Sequence, residues 1–329
     1  MELVCPAGNL PALKIAIDNG ADTVYIGFGD DTNARHFAGL NFNEDRAKQG
    51  VNYAHDRGKK IYVAINTYPQ PSGWGRWIDA VDKAARIGVD AIILADIGLM
   101  EYASTHHPDL NLHLSVQGSA TSYEALDFYY QNFNIKRAVL PRVLSLAQVQ
   151  KVVENSPVDI EVFGFGSLCV MVEGRCILSS YVTGLSPNTY GACSPASHVE
   201  YIENDMQLET RLGGVLIDAY EKDEVAGYPT LCKGRFESMG NTYYALEEPT
   251  SLNTLDILPE LQAIGVKAIK IEGRQRSPAY IKVVAKTWSE ALKQLDKGDY
   301  QINKERNQDL SEISEGFQTT LGAYHRSWQ

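Results

Sequence analysis

The chain has no long apolar run. The richest stretch, residues 91–100, is broken by Asp96, and nothing approaches the roughly 20 residues that a membrane helix needs. Its first residues, Met-Glu-Leu-Val-Cys-Pro, lack the basic and then apolar profile of a signal peptide. A cytoplasmic protein without a transmembrane segment is expected. Positive charge is also scarce: 30 Lys and Arg face 41 Asp and Glu, a formal net charge of -11. Affinity for nucleic acid rests mainly on cations that neutralise phosphates, so no nucleic-acid partner is expected. The same sign opposes adsorption to an anionic membrane. No G-x-G-x-x-G occurs, so the dinucleotide fingerprint is missing. H-E-x-x-H and G-x-S-x-G are absent too, which removes two common hydrolase signatures. Cysteine is sparse, at five residues, and in a reducing compartment these read as thiols or metal ligands before disulfides.

What is present is a rhythm. Short β-branched runs cover residues 2–7, 23–28, 61–67, 91–96, 112–117, 137–142, 159–166 and 268–274. Most are nearly continuous apolar strings, as in IYVAIN and AIILAD. Strands buried on both faces look like this, and they belong to parallel sheets. Between them lie segments with apolar spacing near the helical period, several stopped by a glycine (Gly20, Gly88, Gly265) just before the next strand. Eight such β/α units predict an α/β protein with a (β/α)8 TIM-like barrel.

The rhythm breaks once. Residues 167–249 are rich in Gly, Tyr, Ser and Pro and keep no steady period, apart from strand-like pieces at 198–203 and 242–247. So long an excursion is functional or a small subdomain. The expected organisation is strands one to seven in 1–166, an irregular insertion after strand seven in 167–249, and barrel completion with a polar C-terminal tail in 250–329. Ser277-Pro278 offers an N-cap and first-turn pair for a last long helix ending near Leu295.

Four of the five cysteines, Cys169, Cys176, Cys193 and Cys232, fall in the insertion, within 64 residues (169–232). Four thiols in one irregular segment can be the ligand set of an iron–sulfur cluster or a structural zinc, or be unrelated. The spacing C-x6-C-x16-C-x38-C lacks the close pair usual for zinc and fits a cluster wrapped by a long loop better. Gly174, Gly191, Gly234 and Pro195 suit turns around an inorganic core, and Arg175, Lys233 and Arg235 could offset its negative charge.

A second constellation lies where barrels place their chemistry, at the C-terminal ends of the strands. It comprises Asn66, Thr67, Asp96, Gln117, Arg142, Lys270, Glu272 and Arg274. Arg142 and Arg274 each read as ending a strand and could grip a carboxylate with a bidentate fork. The bland alternative is ion pairing with neighbours such as Glu272. His36, in the polar loop after strand two, is a further candidate.

The segments ELVCPAGNLPALKIAIDNGADTVYIG, NARHFAGLNF, VFGFGSLCVMVEGRCILSSYVTG, YGACSPA, YPTLCKGR, EEPTSLNTL, IKIEGRQRSPAY and GAYHRSWQ resemble the collagenase-like peptidase family, peptidase family U-32. The resemblance runs nearly from end to end. The family includes RNA and tRNA hydroxylation proteins and a pair, UbiU and UbiV, that acts in ubiquinone biosynthesis without oxygen; the resemblance is closest to the UbiU type. It implies a 4Fe-4S cluster on Cys169, Cys176, Cys193 and Cys232 and a heterodimer with a UbiV-like protein. It also implies a lipid-binding accessory protein, a quinone precursor as substrate and prephenate as the source of the hydroxyl oxygen. Prephenate carries two carboxylates, for which Arg142, Arg274 and Lys270 are the candidate cations. Protease activity is not expected. Two rival readings stand beside an oxygen-independent ring hydroxylase: an RNA-hydroxylating relative and a non-catalytic iron–sulfur scaffold.

Overall fold

A strand turns successive side chains to opposite faces, so a run that is apolar throughout must be covered on both. The computed structural model, which describes residues 1–37 and 39–326, resolves the eight runs in this way; the last three residues of the GAYHRSWQ segment lie outside the described residues. Strands β1 (Glu2–Pro6), β2 (Thr23–Gly27), β3 (Lys60–Ile65), β4 (Ala91–Leu94), β5 (Asn111–Leu114), β6 (Arg137–Val139), β7 (Asp159–Ser167) and β8 (Ala268–Ile271) pair in sequence. All are parallel, and β8 pairs with both β7 and β1. The sheet therefore closes into the expected (β/α)8 barrel.

One face of each strand packs under the helices: Leu3, Val24, Ile61, Ile92, Leu112 and Ile269 belong to this outer core. Most of these helices begin on side-chain caps. Asn9 caps α1 (Leu10–Asp18), Asn43 caps α2 (Glu44–His55), and Gly88 at φ 76° stops α3 (Trp74–Ile87). Asp96 caps α4 (Ile97–His106), Ser122 α5 (Tyr123–Phe133) and Ser145 α6 (Leu146–Asn155). Helix α7 (Leu258–Ala263) precedes β8, and α8 (Pro278–Lys297) follows it from the expected Ser277 cap. Among the described residues no helix is long and apolar enough to cross a membrane.

The inner face is unusual. Val4, Tyr25, Tyr62, Ala64 and Ile93 form part of the lumen, but charges share it. Lys270 Nζ lies 2.6 Å from Glu161 Oε1, and Arg137 bridges Glu161 at 3.3 Å and Glu2 at 2.7 Å. Pairing this close offsets the cost of taking these groups out of water.

Several strands stop earlier than the sequence predicts, and β5, β6 and β8 each do so by three residues. β6 ends at Val139 because Pro141 has no N–H to donate to a ladder. β8 ends at Ile271, and Gly273 turns the chain at φ 149°. Arg142 and Arg274 thus sit in the turns above their strands, and Gln117 lies in a 3-10 turn, Val116–Gly118.

The excursion leaves β7 and returns at the strand Ser251–Asn253, where Ser251 lies antiparallel to Ser167. Thr319–Thr320 of the tail flanks that strand. Within the excursion lie two short helices, Leu178–Thr183 and Pro187–Tyr190. A three-stranded antiparallel sheet follows (Val199–Glu203, Gln207–Leu212, Val215–Glu221), then a hairpin of Arg235–Ser238 and Asn241–Tyr244. The insertion is therefore more regular than its sequence suggests. Its outer strands are largely exposed, so no apolar period marks them.

Candidate functional site

A cavity of about 170 Å³ opens at the C-terminal mouth of the barrel, walled below by strand ends and above by the insertion. Four separate stretches of the insertion bring Cys169, Cys176, Cys193 and Cys232 to its lining. All four are free thiols. Burial pushes the Cys169 and Cys232 thiols up to about 12. The charge of Cys193 adds to the rise at each of the other three. Left alone, Cys169 and Cys232 stay protonated; they become thiolates only around a positive centre. Among the described residues no three Cys, His, Asp or Glu side chains are gathered tightly enough to hold one metal ion. The thiolates of a cubane stand on different irons and so lie farther apart than ligands of a single zinc. Four soft donors around one cavity, with no histidine in its lining, fit a cluster by their chemistry. Cys5 lies apart, packed in the outer core between barrel and helices.

The glycines near the thiols mark close backbone approaches. Gly174 and Gly191 have φ of 87° and 77°. A Cβ on Gly174 would lie 2.0 Å from Gln117 O, and one on Gly191 1.8 Å from Ala34 O. They let the insertion's backbone press onto the barrel loops, which sets the position of the thiols over the mouth. Gly234 makes the same close approach to Ile217 O. Pro195 opens the short turn Ala196–His198.

The flanking cations are likewise mostly engaged elsewhere. Lys233 is buried, donates to Thr250 O at 3.2 Å and pairs with Glu315. Arg235 pairs with Asp218 and Glu224, and Arg175 is exposed. Lys233 still eases ionisation of Cys232, and Arg142 does so for Cys169.

The strand-end candidates divide. Arg142 is held: its Nε is 2.7 Å from Glu173 Oε1, its Nη1 is 2.7 Å from Glu272 Oε2, and it also donates to Ser167 O. This is the structural pairing that the sequence left as the alternative, and the guanidinium's carboxylate partners are the protein's own. Glu272 is held down to about 2 despite burial, because Arg142 and Arg35 face it. Arg274 differs. Its Nη1 donates to Asn33 Oδ1, and its guanidinium lies 5.4 Å from the Tyr25 ring centroid. No carboxylate among the described residues forms an ion pair with it. Burial lowers its pKa to about 10. Arg274 is the cavity cation whose charge is not already answered.

Asn66 lines the cavity, but both ends of its amide are used, by Ala34 N at 3.1 Å and Ser115 Oγ at 3.2 Å. Gln117 also lines it, and its buried Oε1 has no partner. Lys270 forms part of the floor. His36 is outside the lining; its Nδ1 lies 2.9 Å from Asn33 O. Its neighbour Arg35 takes the place instead, 3.5 Å from Glu272. Thr67 and Asp96 are structural: Thr67 bonds Asp31 O and Trp77, and Asp96 caps α4.

One residue escaped the sequence reading. Glu173 is buried in the cavity wall, with Oε1 on Arg142 and Oε2 without a partner. Burial raises its pKa. The signal was its place between two cysteines in CVMVEGRC. Together Arg274, Gln117 Oε1 and Glu173 Oε2 offer one charge for a carboxylate and two oxygens awaiting a donor.

The sequence profile of peptidase family U32 matches residues 8–327. The tRNA hydroxylation protein P of Escherichia coli is 31% identical over 311 residues, covering 88% of this chain and 67% of that protein. A collagenase of Porphyromonas gingivalis is 29% identical over 310 residues, covering 91% and 67%. The 23S rRNA 5-hydroxycytidine C2501 synthase of Escherichia coli is 30% identical over 308 residues, covering 91% of this chain and 40% of that protein. The chain thus spans about two thirds, or less, of the length of these relatives.

Proposed function

The chain belongs to peptidase family U32, and from that premise we propose that it is the iron–sulfur subunit of an oxygen-independent aromatic-ring hydroxylase. Its partner in this reading is a UbiV-like protein, its pathway anaerobic ubiquinone biosynthesis, and its hydroxyl donor prephenate. The observation that carries the reading is the convergence of Cys169, Cys176, Cys193 and Cys232 on a cavity that also holds Arg274. Relatives named for RNA hydroxylation support the reaction class. A 4Fe-4S cluster held by all four thiolates leaves no iron open, so it would supply electron transfer or structural support. Arg274 binds a carboxylate of the donor. Gln117 Oε1 or Glu173 Oε2 accepts the one hydrogen bond that its hydroxyl can donate. The insertion excludes water from above.

A second reading, hydroxylation of an RNA base, is favoured by the names of those same relatives. The net charge of -11 opposes it. The deciding experiment is anaerobic co-purification with a UbiV-like partner, iron and sulfide analysis, and an assay with a quinone precursor and oxygen-labelled prephenate. The expected result is about four irons and four sulfides per chain and label in the ring hydroxyl. Single Cys→Ala changes at the four positions should abolish the cluster, while Cys5→Ala retains it. Stoichiometric zinc, or hydroxylated RNA in place of quinone, would overturn the reading.

A further inference from the structure

The floor of the cavity holds an amine with more than a structural arrangement around it. Lys270 sits on β8 between Ile269 and Ile271, which face the helices, so its own side chain enters the lumen. It is 5% exposed and lines the cavity. Its Nζ is 2.6 Å from Glu161 Oε1, and Arg137 fixes Glu161 from the other side at 3.3 Å. An amine, a carboxylate within hydrogen-bond reach and a third group orienting that carboxylate form the layout of an activated nucleophile. Burial lowers the pKa of Lys270; Glu161 opposes this by its charge and hydrogen bond, and the neighbouring Arg274 and Arg137 guanidiniums act with burial, so that the net shift is downward, toward the neutral amine.

The second observation is the company it keeps. Lys270 Nζ lies 4.2 Å from the centroid of the Tyr25 ring, and the Arg274 guanidinium lies 5.4 Å from the same centroid. The amine and the unanswered guanidinium therefore flank one aromatic wall. In a 2-oxo acid the carboxylate and the carbonyl carbon are directly bonded, so an acid held at Arg274 presents its carbonyl toward Lys270.

We propose that Lys270 captures a 2-oxo acid as a Schiff base, with Arg274 holding the acid's carboxylate and Glu161 moving the proton. The nitrogen lone pair forms the C–N bond to the carbonyl carbon, and an N–H proton passes to Glu161. Glu161 returns that proton to the former carbonyl oxygen, the second N–H proton follows by the same route, the oxygen leaves as water, and a C=N bond remains. No electrons are exchanged with any other reagent. The inference rests on the reading above only in taking the donor as a 2-oxo acid, since prephenate carries a pyruvyl side chain.

The test uses the anaerobically purified, cluster-loaded protein with its partner. It is incubated with sodium cyanoborohydride and either pyruvate or prephenate, then mapped by peptide mass spectrometry. The expected result is a reduced adduct on Lys270, about one per chain, and none at that site in Lys270→Arg, which keeps the charge in the lumen. An adduct with pyruvate but not prephenate upholds the lysine and overturns prephenate as donor. No adduct on Lys270 with either acid, or labelling scattered equally over surface lysines, overturns the inference. The hydroxylation assay then judges the wider reading separately.

Discussion

Arg142 and Arg274 look alike in sequence, each following an apolar run and each aimed at the barrel mouth. The structure separates them by what already answers their charge. Removing Arg142 would leave Glu173 and Glu272 facing each other without their shared cation. Breaking a buried pair in this way costs about 3–5 kcal/mol, so Arg142→Ala should lower the melting temperature and the cluster yield together. Removing Arg274 takes one donor from Asn33 Oδ1, which keeps the Arg35 backbone N–H. Arg274→Ala should keep the fold and weaken a carboxylate-bearing donor by roughly 1.5–3 kcal/mol, one to two decades in affinity. Arg274→Lys should recover part of it, since the charge stays and the fork is lost. Calorimetric titration with prephenate beside thermal melts checks both halves. Equal effects of the two substitutions on binding and on melting would refute the division. The charge types were legible in the sequence. Which arginine was occupied was not, because Glu173 reaches Arg142 from a segment outside the barrel strands.

At the scale of elements, the barrel was legible because its strands are buried on both faces and so carry continuous apolar runs. The strand limits were less so. Pro141 and Gly273 end β6 and β8 early, and the candidate arginines move from strand ends into turns. The three-stranded sheet of the insertion left no period to read, since Val199–Glu203 turns most of its residues to solvent. The glycines mark backbone pressed on backbone. Gly191 provides the sharper test. Alanine there meets Ala34 O at 1.8 Å and must also hold φ at 77°, so the loop carrying Cys193 has to lift. Gly191→Ala should lose most bound iron while far-UV circular dichroism stays near parental. Gly184 is the control. Its φ is 71°, yet an added Cβ meets nothing within 4 Å. Gly184→Ala should cost only the left-handed backbone, about 1–2 kcal/mol, and keep its iron. Equal iron retention in the two variants would show that the close approach at Ala34 does not position the thiols.

For the molecule as a whole, charge and apolar surface are unevenly placed. The lumen and mouth hold carboxylates kept low by guanidinium partners: Glu2 and Glu272 each lie near 2. A carboxylate whose folded pKa is depressed contributes stability above its unfolded value, and the contribution fades as pH falls toward the folded one. Stability should therefore decline from about pH 4.5 down to pH 2, with a shallower slope in Glu272→Gln. Melts across that range measure it, and an unchanged slope would show that Glu272 contributes no such linkage.

The exposed large apolar residues gather on the other part of the molecule. Among the described residues, Tyr181 is 80% exposed, Met206 79% and Met239 100%, all in the insertion. Apolar side chains exposed in this number on one segment offer a surface for a partner. The proposed UbiV-like partner would cover the face above the cavity and shelter both the cluster and a greasy ring substrate. Co-expression should raise solubility and give a 1:1 complex by light scattering. Tyr181→Glu and Met206→Glu place charge on exposed positions, so they should spare the monomer's melting temperature, surface changes being mostly within about 0.5 kcal/mol. In an interface the same charges would be desolvated, and the complex should weaken by a decade or more. A protein that stays monomeric with the partner present and hydroxylates at full rate without it would contradict the heterodimer. A complex indifferent to both substitutions would move the interface off these two residues, toward the barrel flank, where the helices already cover the apolar face.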